Sequence, residues 1–275
     1  MKNNHLKNQP FLIMSHRGFW GGNIIQNTRQ SAQLAQQSGA DIIEIDICRT
    51  SDGIYYLFHD GNERTLLGVD INFNLLSTYE IEGRDMFNSV GEESGYKVET
   101  LDDFLTWLPE NYIINIDRSW EYWEDPHFFE LIEKSGKVNQ LIIKSPANEK
   151  FLNILNELSF KIPYVVIAKE PSDIRHVHSF KNINFVGVEL VADSLKKNPL
   201  FHEATLNYID DLGLLTIANA VHLGKHHELF GNLNDSNALL HRGEEVWKEI
   251  LSFNIDVIQT DWPNFLEEFR NKLNS

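Results

Sequence analysis

The sequence predicts a closed (β/α)8 barrel, a TIM barrel of the α/β class, with a small insertion after the second strand. Three observations lead there: eight apolar runs of strand length, helical patterns between them, and a length of 275 residues. Barrels of this kind commonly use about 250 residues as one domain. The runs are FLIMS at 11–15, IIEIDI at 42–47, YIINI at 112–116, QLIIK at 140–144, YVVIA at 164–168, FVGVEL at 185–190, LLTIA at 214–218 and DVIQT at 256–260. They are continuously apolar rather than alternating, the pattern of strands buried on both faces. Strands that alternate with helices argue for βαβ units and a parallel sheet. Eight of them favour closure over an open doubly wound sheet, and no G-x-G-x-x-G follows the first run to support dinucleotide binding.

Each element has its own local signal. The first run ends in His16-Arg17-Gly18. A helix over 28–38 starts at Thr28, a good N-cap, and closes at Gly39, a good C-cap residue. The second run is followed by another β-like stretch, Tyr55 to Phe58, which leads to His59-Asp60. Further helical patterns cover 101–108, 127–134, 147–158, 171–180 and 243–253. Most run starts lie 21 to 42 residues apart, but the second and third, at 42 and 112, are 70 apart. The surplus, residues 61–98, is glycine-rich and reads as an insertion on the C-terminal rim, a lid or specificity element within a single 1–275 domain.

Composition excludes several classes. A formal net charge of −16 argues against general binding to nucleic acid or anionic membrane. A small anionic substrate is still compatible, because a metal and an arginine can reverse the field locally. The single cysteine, Cys48, rules out an internal disulfide framework and reads as a small core residue. The start MKNNHLKNQP leads directly into the first strand, leaving no room for an apolar leader, and no stretch approaches a membrane span. A cytoplasmic protein is expected.

The chemistry is concentrated in residues 42–60. Glu44 and Asp46 stand two apart in a strand, so both carboxylates project from the same face of a segment that is otherwise apolar. Burying two adjacent carboxylates costs several kcal/mol per ion unless a positive charge compensates. A bound divalent cation, Mg2+ or Ca2+, is the economical solution, since both take oxygen ligands. His16 and His59 suit proton transfer and Arg17 suits an anion, so phosphoester cleavage is the reaction that uses all of them. In a barrel the chemistry sits at the C-terminal strand ends. Polar residues stand at nearly all of them: His16-Arg17, Glu44 and Asp46, Asp117-Arg118, Lys144, Glu189, Asn219 and Asp261.

The order of these motifs resembles the glycerophosphodiester phosphodiesterase family, the PLC-like phosphodiesterase barrels. The resemblance rests on His16-Arg17-Gly18, Gln26-Asn27-Thr28, the G-A-D-x-x-E-x-D run from Gly39 to Asp46, and Thr50, Asp52 and Gly53. It continues with His59-Asp60, Thr100-Leu101 to Leu105, and Thr260-Asp261-Trp262-Pro263. It implies a barrel with an insertion after the second strand and one divalent cation held by Glu44, Asp46 and Asp117. It also implies His16 and His59 as general acid and base, and Arg17 on the phosphate. The implied reaction releases an alcohol and sn-glycerol 3-phosphate. A lyase-like enzyme stopping at a cyclic phosphate and a non-catalytic phosphodiester-binding barrel are the alternatives.

Three positions depart from the pattern. Gln26 stands where the family has Glu, and Asp117-Arg118-Ser119 stands where it has E-x-K. Thr216-Ile217-Ala218-Asn219 keeps the Asn of W-x-V-N but loses its Trp. Lys144 or Arg118 is the candidate replacement for the missing lysine, and Lys144 is assigned to the substrate phosphate. Asp117 as a helix N-cap and Lys144 as a solvated strand-end residue are the bland alternatives. His222, His226 and His227 have i, i+4 spacing but no accompanying carboxylates, and read as a polar loop. Trp120 and Trp123 fit a pocket wall or core packing equally.

Overall fold

The computed structural model describes residues 9–224 and 228–275. Residues 1–8 and the pair His226 and His227 therefore lie outside the described residues. The eight runs form strands β1 Leu12–Ser15, β2 Ile42–Arg49, β4 Ile114–Asp117, β5 Leu141–Pro146, β6 Pro163–Ala168, β7 Asn184–Leu190, β8 Leu215–Asn219 and β9 Val257–Thr260. All neighbours are parallel, and β1 pairs with both β9 and β2, which closes the barrel. The extra strand β3, Tyr55–Leu57, runs antiparallel to β2 outside the barrel and brings the chain back to His59.

Strand parity divides the core into two regions. The outward-facing residues Ile13, Ile43, Ile45, Ile116, Ile143, Val166, Val188, Ala218 and Ile258 pack against the helices. Leu12, Met14, Ile42, Ile142, Val165, Leu215, Ile217 and Val257 face inward and form a separate apolar plug in the lumen. Two apolar faces explain why the runs read as continuous. Continuing the inward parity toward the strand C-termini leads from Ile42 to Glu44 and Asp46, from Ile142 to Lys144, and from Ile217 to Asn219. The polar exceptions in the runs therefore fall on one face at one end.

The predicted helices are present at Arg29–Gln37, Leu101–Trp107, Pro126–Lys134, Glu149–Glu157, Pro171–Ser179 and Glu245–Leu251. Thr28 caps the first by a reciprocal bond pair with Ser31. The last begins two residues later than expected because Gly243, at φ +63°, breaks it from a π-helical turn over Ala238–Arg242. Two more helices, Glu203–Asp211 and Pro263–Leu273, complete the outer layer. Both lie outside the predicted set, although Pro263 at N1 is a helix-start signal.

Residues 61–98 hold the short helices Glu63–Leu67 and Thr78–Glu82 and a 3-10 turn, Phe73–Leu75. Their apolar residues make a satellite core with Cys48, Tyr56 and Phe58. Cys48 is thus a buried packing residue beyond the top of the lumen. The segment is tied to the loop after β1 by Asn88 Nδ2 donating to Asn23 Oδ1 at 2.7 Å and Ser89 N donating to Gly22 O at 3.1 Å. Trp123 is buried against Phe129, Phe151 and Tyr164, so core packing is its role. Trp120 is partly buried against the same core.

Candidate active site

The site starts from the β2–β4 register, in which Glu44 lies opposite Asn115 and Asp46 opposite Asp117. Carboxylate oxygens of Glu44, Asp46 and Asp117 all lie within 4.8 Å of one another. Glu44 and Asp46 are buried and Asp117 is partly so. Burial pushes the Glu44 carboxyl well above the usual carboxylate range, and the neighbouring Asp46 and Asp117 push it the same way. One of its oxygens, Oε2, accepts the Arg17 N–H at 2.7 Å. The other, Oε1, is buried without a hydrogen-bond partner. A divalent cation with bonds of about 2.0–2.6 Å fits between oxygens this close, and would satisfy the orphaned Oε1. The donor set, all oxygen and all anionic, suits Mg2+ or Ca2+ rather than a softer metal.

The backbone around this cluster is held in uncommon conformations. Among the described residues four non-glycine positions have positive φ, and three of them, Arg17, Asn27 and Arg118, border the carboxylates. Strain of this kind concentrates where a site over-determines the chain. At Arg17 (φ +56°) and Gly18 (φ +71°) the turn aims two successive N–H groups at Glu44, one at its carboxylate and one at its carbonyl oxygen. Arg17 Nε lies 3.0 Å from Asp46 Oδ2, while its Nη1 donates to Gln26 Oε1 at 2.7 Å. Gln26 therefore steadies the arginine without adding charge. Asn27 brackets Asp46, donating to Oδ2 at 3.2 Å and accepting the Asp46 N–H at 2.9 Å.

Each histidine is fixed through Nδ1. His16 Nδ1 lies 2.7 Å from Asp261 Oδ1, across the junction of the first and last strands. His59 Nδ1 lies 2.5 Å from the Asp60 carbonyl oxygen, and its Nε2 is 3.1 Å from Arg118 Nη1. A carbonyl only accepts and a guanidinium only donates, so this network assigns His59 the neutral tautomer protonated at Nδ1. Arg118 also donates to Asp60 Oδ1 at 2.6 Å. Sequence reading offered Arg118 only as a substitute lysine and did not connect it with His59.

Lys144 is buried in the lumen, its ammonium 2.9 Å from both Asp117 Oδ2 and Glu189 Oε2. Burial alone would lower its pKa, but Asp117, Glu189 and Glu44 outweigh that and raise it, so it remains an ammonium. Asn219 Nδ2 donates to the other Glu189 oxygen at 3.3 Å, extending the chain of contacts around the lumen. Asp117 Oδ1 accepts the N–H of Arg118 at 2.7 Å. Ser119, at the place of the missing lysine, is fully buried and accepts the Trp123 indole N–H at 3.2 Å. His222 joins no group of metal-ligand type among the described residues. Asp235, which sequence reading passed over in a polar loop, is buried beneath the end of β9.

Fold and site together define a phosphodiester-cleaving barrel. Residues 16–200 match the Glycerophosphoryl diester phosphodiesterase family, and the chain belongs to that family. Its activity is accordingly the hydrolysis of glycerophosphodiesters. The chain is 25% identical over 170 residues to a glycerophosphodiester phosphodiesterase of Bacillus altitudinis, covering 60% of this chain and 68% of the relative. Across the curated relatives it matches, the chain spans between 44% and 68% of their length. Among solved structures, a glycerophosphoryl diester phosphodiesterase of Parabacteroides distasonis superposes with a TM-score of 0.72 at 16% identity, over 97% of this chain and 88% of the other. A phosphodiesterase of Oleispira antarctica, in complex with the product sn-glycerol-3-phosphate, gives 0.63 at 16% identity over 96% and 97%. At these identities the structural likeness speaks for the fold.

Proposed function

We propose that Glu44, Asp46 and Asp117 hold one divalent cation, Mg2+ or Ca2+, and that His16 and His59 move the protons as a glycerophosphodiester is cleaved to an alcohol and sn-glycerol 3-phosphate. The observation that carries this reading is the buried three-carboxylate cluster with its unpartnered Glu44 Oε1, flanked by two histidines held at Nδ1. When bound, the cation supplies Lewis acidity and lowers the pKa of a hydroxyl or water.

The remaining work falls to side chains of this chain. Arg17 offers a fork of donors to the non-bridging phosphate oxygens, and its unusual backbone conformation fixes where that fork points. An ammonium has three donors. Two of those on Lys144 are directed at Asp117 and Glu189, and the third is assigned to the phosphate. One histidine takes the proton of the neighbouring glycerol hydroxyl as it attacks phosphorus, and the other gives a proton to the departing alcohol oxygen. Water then opens the cyclic phosphate with the two roles reversed. His59, with a lone pair at Nε2, starts as the base, and substrate entry must move Arg118 off that nitrogen.

The chain is read as one barrel domain, with residues 61–98 acting as a lid or specificity element, supported by their bonds to the loop after β1. The substrate is a small molecule. The net charge of −16 supports the absence of a nucleic-acid partner. Among the described residues no helix is long and apolar enough to cross a membrane. A cytoplasmic location and a part in glycerol and lipid metabolism are consistent with the single buried cysteine and with the products.

A chromogenic phosphodiester and a panel of glycerophosphodiesters, each with and without chelator, test the reading. Turnover lost on chelation and restored by Mg2+ or Ca2+ is expected, with sn-glycerol 3-phosphate as the end product by phosphorus NMR. Full turnover in chelator would refute the cation, and accumulation of the cyclic phosphate would make the enzyme lyase-like.

A further inference from the structure

We propose that Asp235 is a positioning residue that sets the turn after β9 so that Asp261 meets His16. The inference rests on the acid–base role given to His16 above. Asp235 lies in the connection between β8 and β9, at the start of the short helix Asp235–Asn237, and is buried. Its carboxyl makes no contact with the three-carboxylate cluster. Instead its oxygens accept the Thr260 hydroxyl at 3.0 and 2.9 Å and the Asp261 N–H at 2.8 Å. Thr260 Oγ1 in turn accepts the Trp262 N–H at 2.9 Å, and the Thr260 carbonyl accepts the His16 N–H at 2.9 Å.

Thr260 is thus the junction between Asp235, the Asp261 turn and the strand end that carries His16. Asp235 is itself anchored from below. Its N–H donates to the Ala220 carbonyl at 2.7 Å, and Ala220 N–H donates to the Gln259 carbonyl at 2.8 Å. A buried carboxyl is costly unless its oxygens find donors, and here the donors come from residues 260 and 261. Burial pushes the Asp235 carboxyl up to about 8, so at neutral pH it is largely an uncharged hydrogen-bonding group. Positioning at an active site is exacting, since a displacement of about 1 Å can cost about 10²-fold in rate.

This assigns distinct outcomes to two replacements. Asp235→Asn keeps an acceptor for the Asp261 N–H and offers a donor to Thr260 Oγ1, and is expected to retain kcat within about threefold. Asp235→Ala removes both bonds and is expected to lower kcat about 10- to 100-fold with KM and cation affinity nearly unchanged. In an Asp261→Ala background the same Asp235→Ala change should cost less than about twofold, because coupled residues are not additive. A kcat for Asp235→Ala within twofold of the parent, or an equal loss in both backgrounds, overturns the inference.

Should Asp235→Ala fail to fold, Thr260→Val and Thr260→Ser take its place. The valine must lose kcat and the serine keep it, and full activity of the valine variant overturns the proposal. Nitrogen-15 NMR of the His16 ring supplies a readout without turnover. The parent should show Nδ1 carrying a proton held by Asp261, and Asp235→Ala a shifted or broadened Nδ1 signal. An unchanged His16 signal overturns the positioning role even if no phosphodiester is hydrolysed, and a changed signal in an inactive parent leaves the role standing while the hydrolase reading falls.

Discussion

Glu44 concentrates the conflict between folding and function in one side chain. It is fully buried beside two other carboxylates, and its pKa is raised by burial first and by those neighbours second. Glu44→Gln keeps an oxygen for the Arg17 N–H and removes a charge that the fold must otherwise shelter. It should therefore abolish turnover while leaving the melting temperature in chelator unchanged or higher. Full activity of this variant would contradict the cation-holding role. The histidines give a second prediction at the same scale. His59→Ala and His16→Ala should each lower kcat about 10²- to 10⁴-fold. A substrate whose leaving group needs no proton should rescue only the variant that has lost the acid, which assigns the two roles.

At the scale of elements, the turn after β1 has the least tolerance. Gly18 has φ +71°, and a Cβ there would come within 2.5 Å of Ser31 Oγ and 2.6 Å of the Ser31 carbonyl carbon. Backbone in the way does not yield as a side-chain tip would. Gly18→Ala should lower stability by about 1–3 kcal/mol. It should also lower kcat, because Arg17 and the helix cap at Thr28–Ser31 move together. Denaturant melts and steady-state kinetics check this, and a variant with parental stability would show that the turn can relax. The β2–β3 hairpin has the complementary role. It carries His59 back over the lumen, whereas a plain βα loop would have run directly to the helix Leu101–Trp107.

For the molecule as a whole, acidity is both burden and resource. Asp235 has a raised pKa of about 8 and Glu44 is raised in the same direction. A folded state that holds its protons more tightly than the unfolded chain loses stability as pH rises from the unfolded carboxylate value, about 4, through the folded value. In chelator the melting temperature should fall between pH 5 and 8, and Asp235→Asn should flatten the fall. A rise over that window would contradict the assignment. Saturating Mg2+ or Ca2+ should oppose the trend. A ligand at about 100 times its Kd adds about 2.7 kcal/mol, and binding strengthens as the carboxylates deprotonate.

Much of this protein was determined by local sequence pattern. Runs apolar on both faces belong to strands buried on both sides, so the eight barrel strands could be read directly. The two-residue spacing of Glu44 and Asp46 put both carboxylates on one face, because a strand has a period of two. Motif order supplied the family. Tertiary structure alone decided how distant segments meet. That Lys144 lies between Asp117 and Glu189, that Arg118 reaches His59, and that Asp235 lies under Thr260 each depend on strand register and loop path. These contacts join residues 25 to 59 positions apart, and no local period relates them. Asp235 sits in a polar loop whose composition resembles any exposed turn, so its burial is a property of closure around the barrel rather than of its neighbours in sequence.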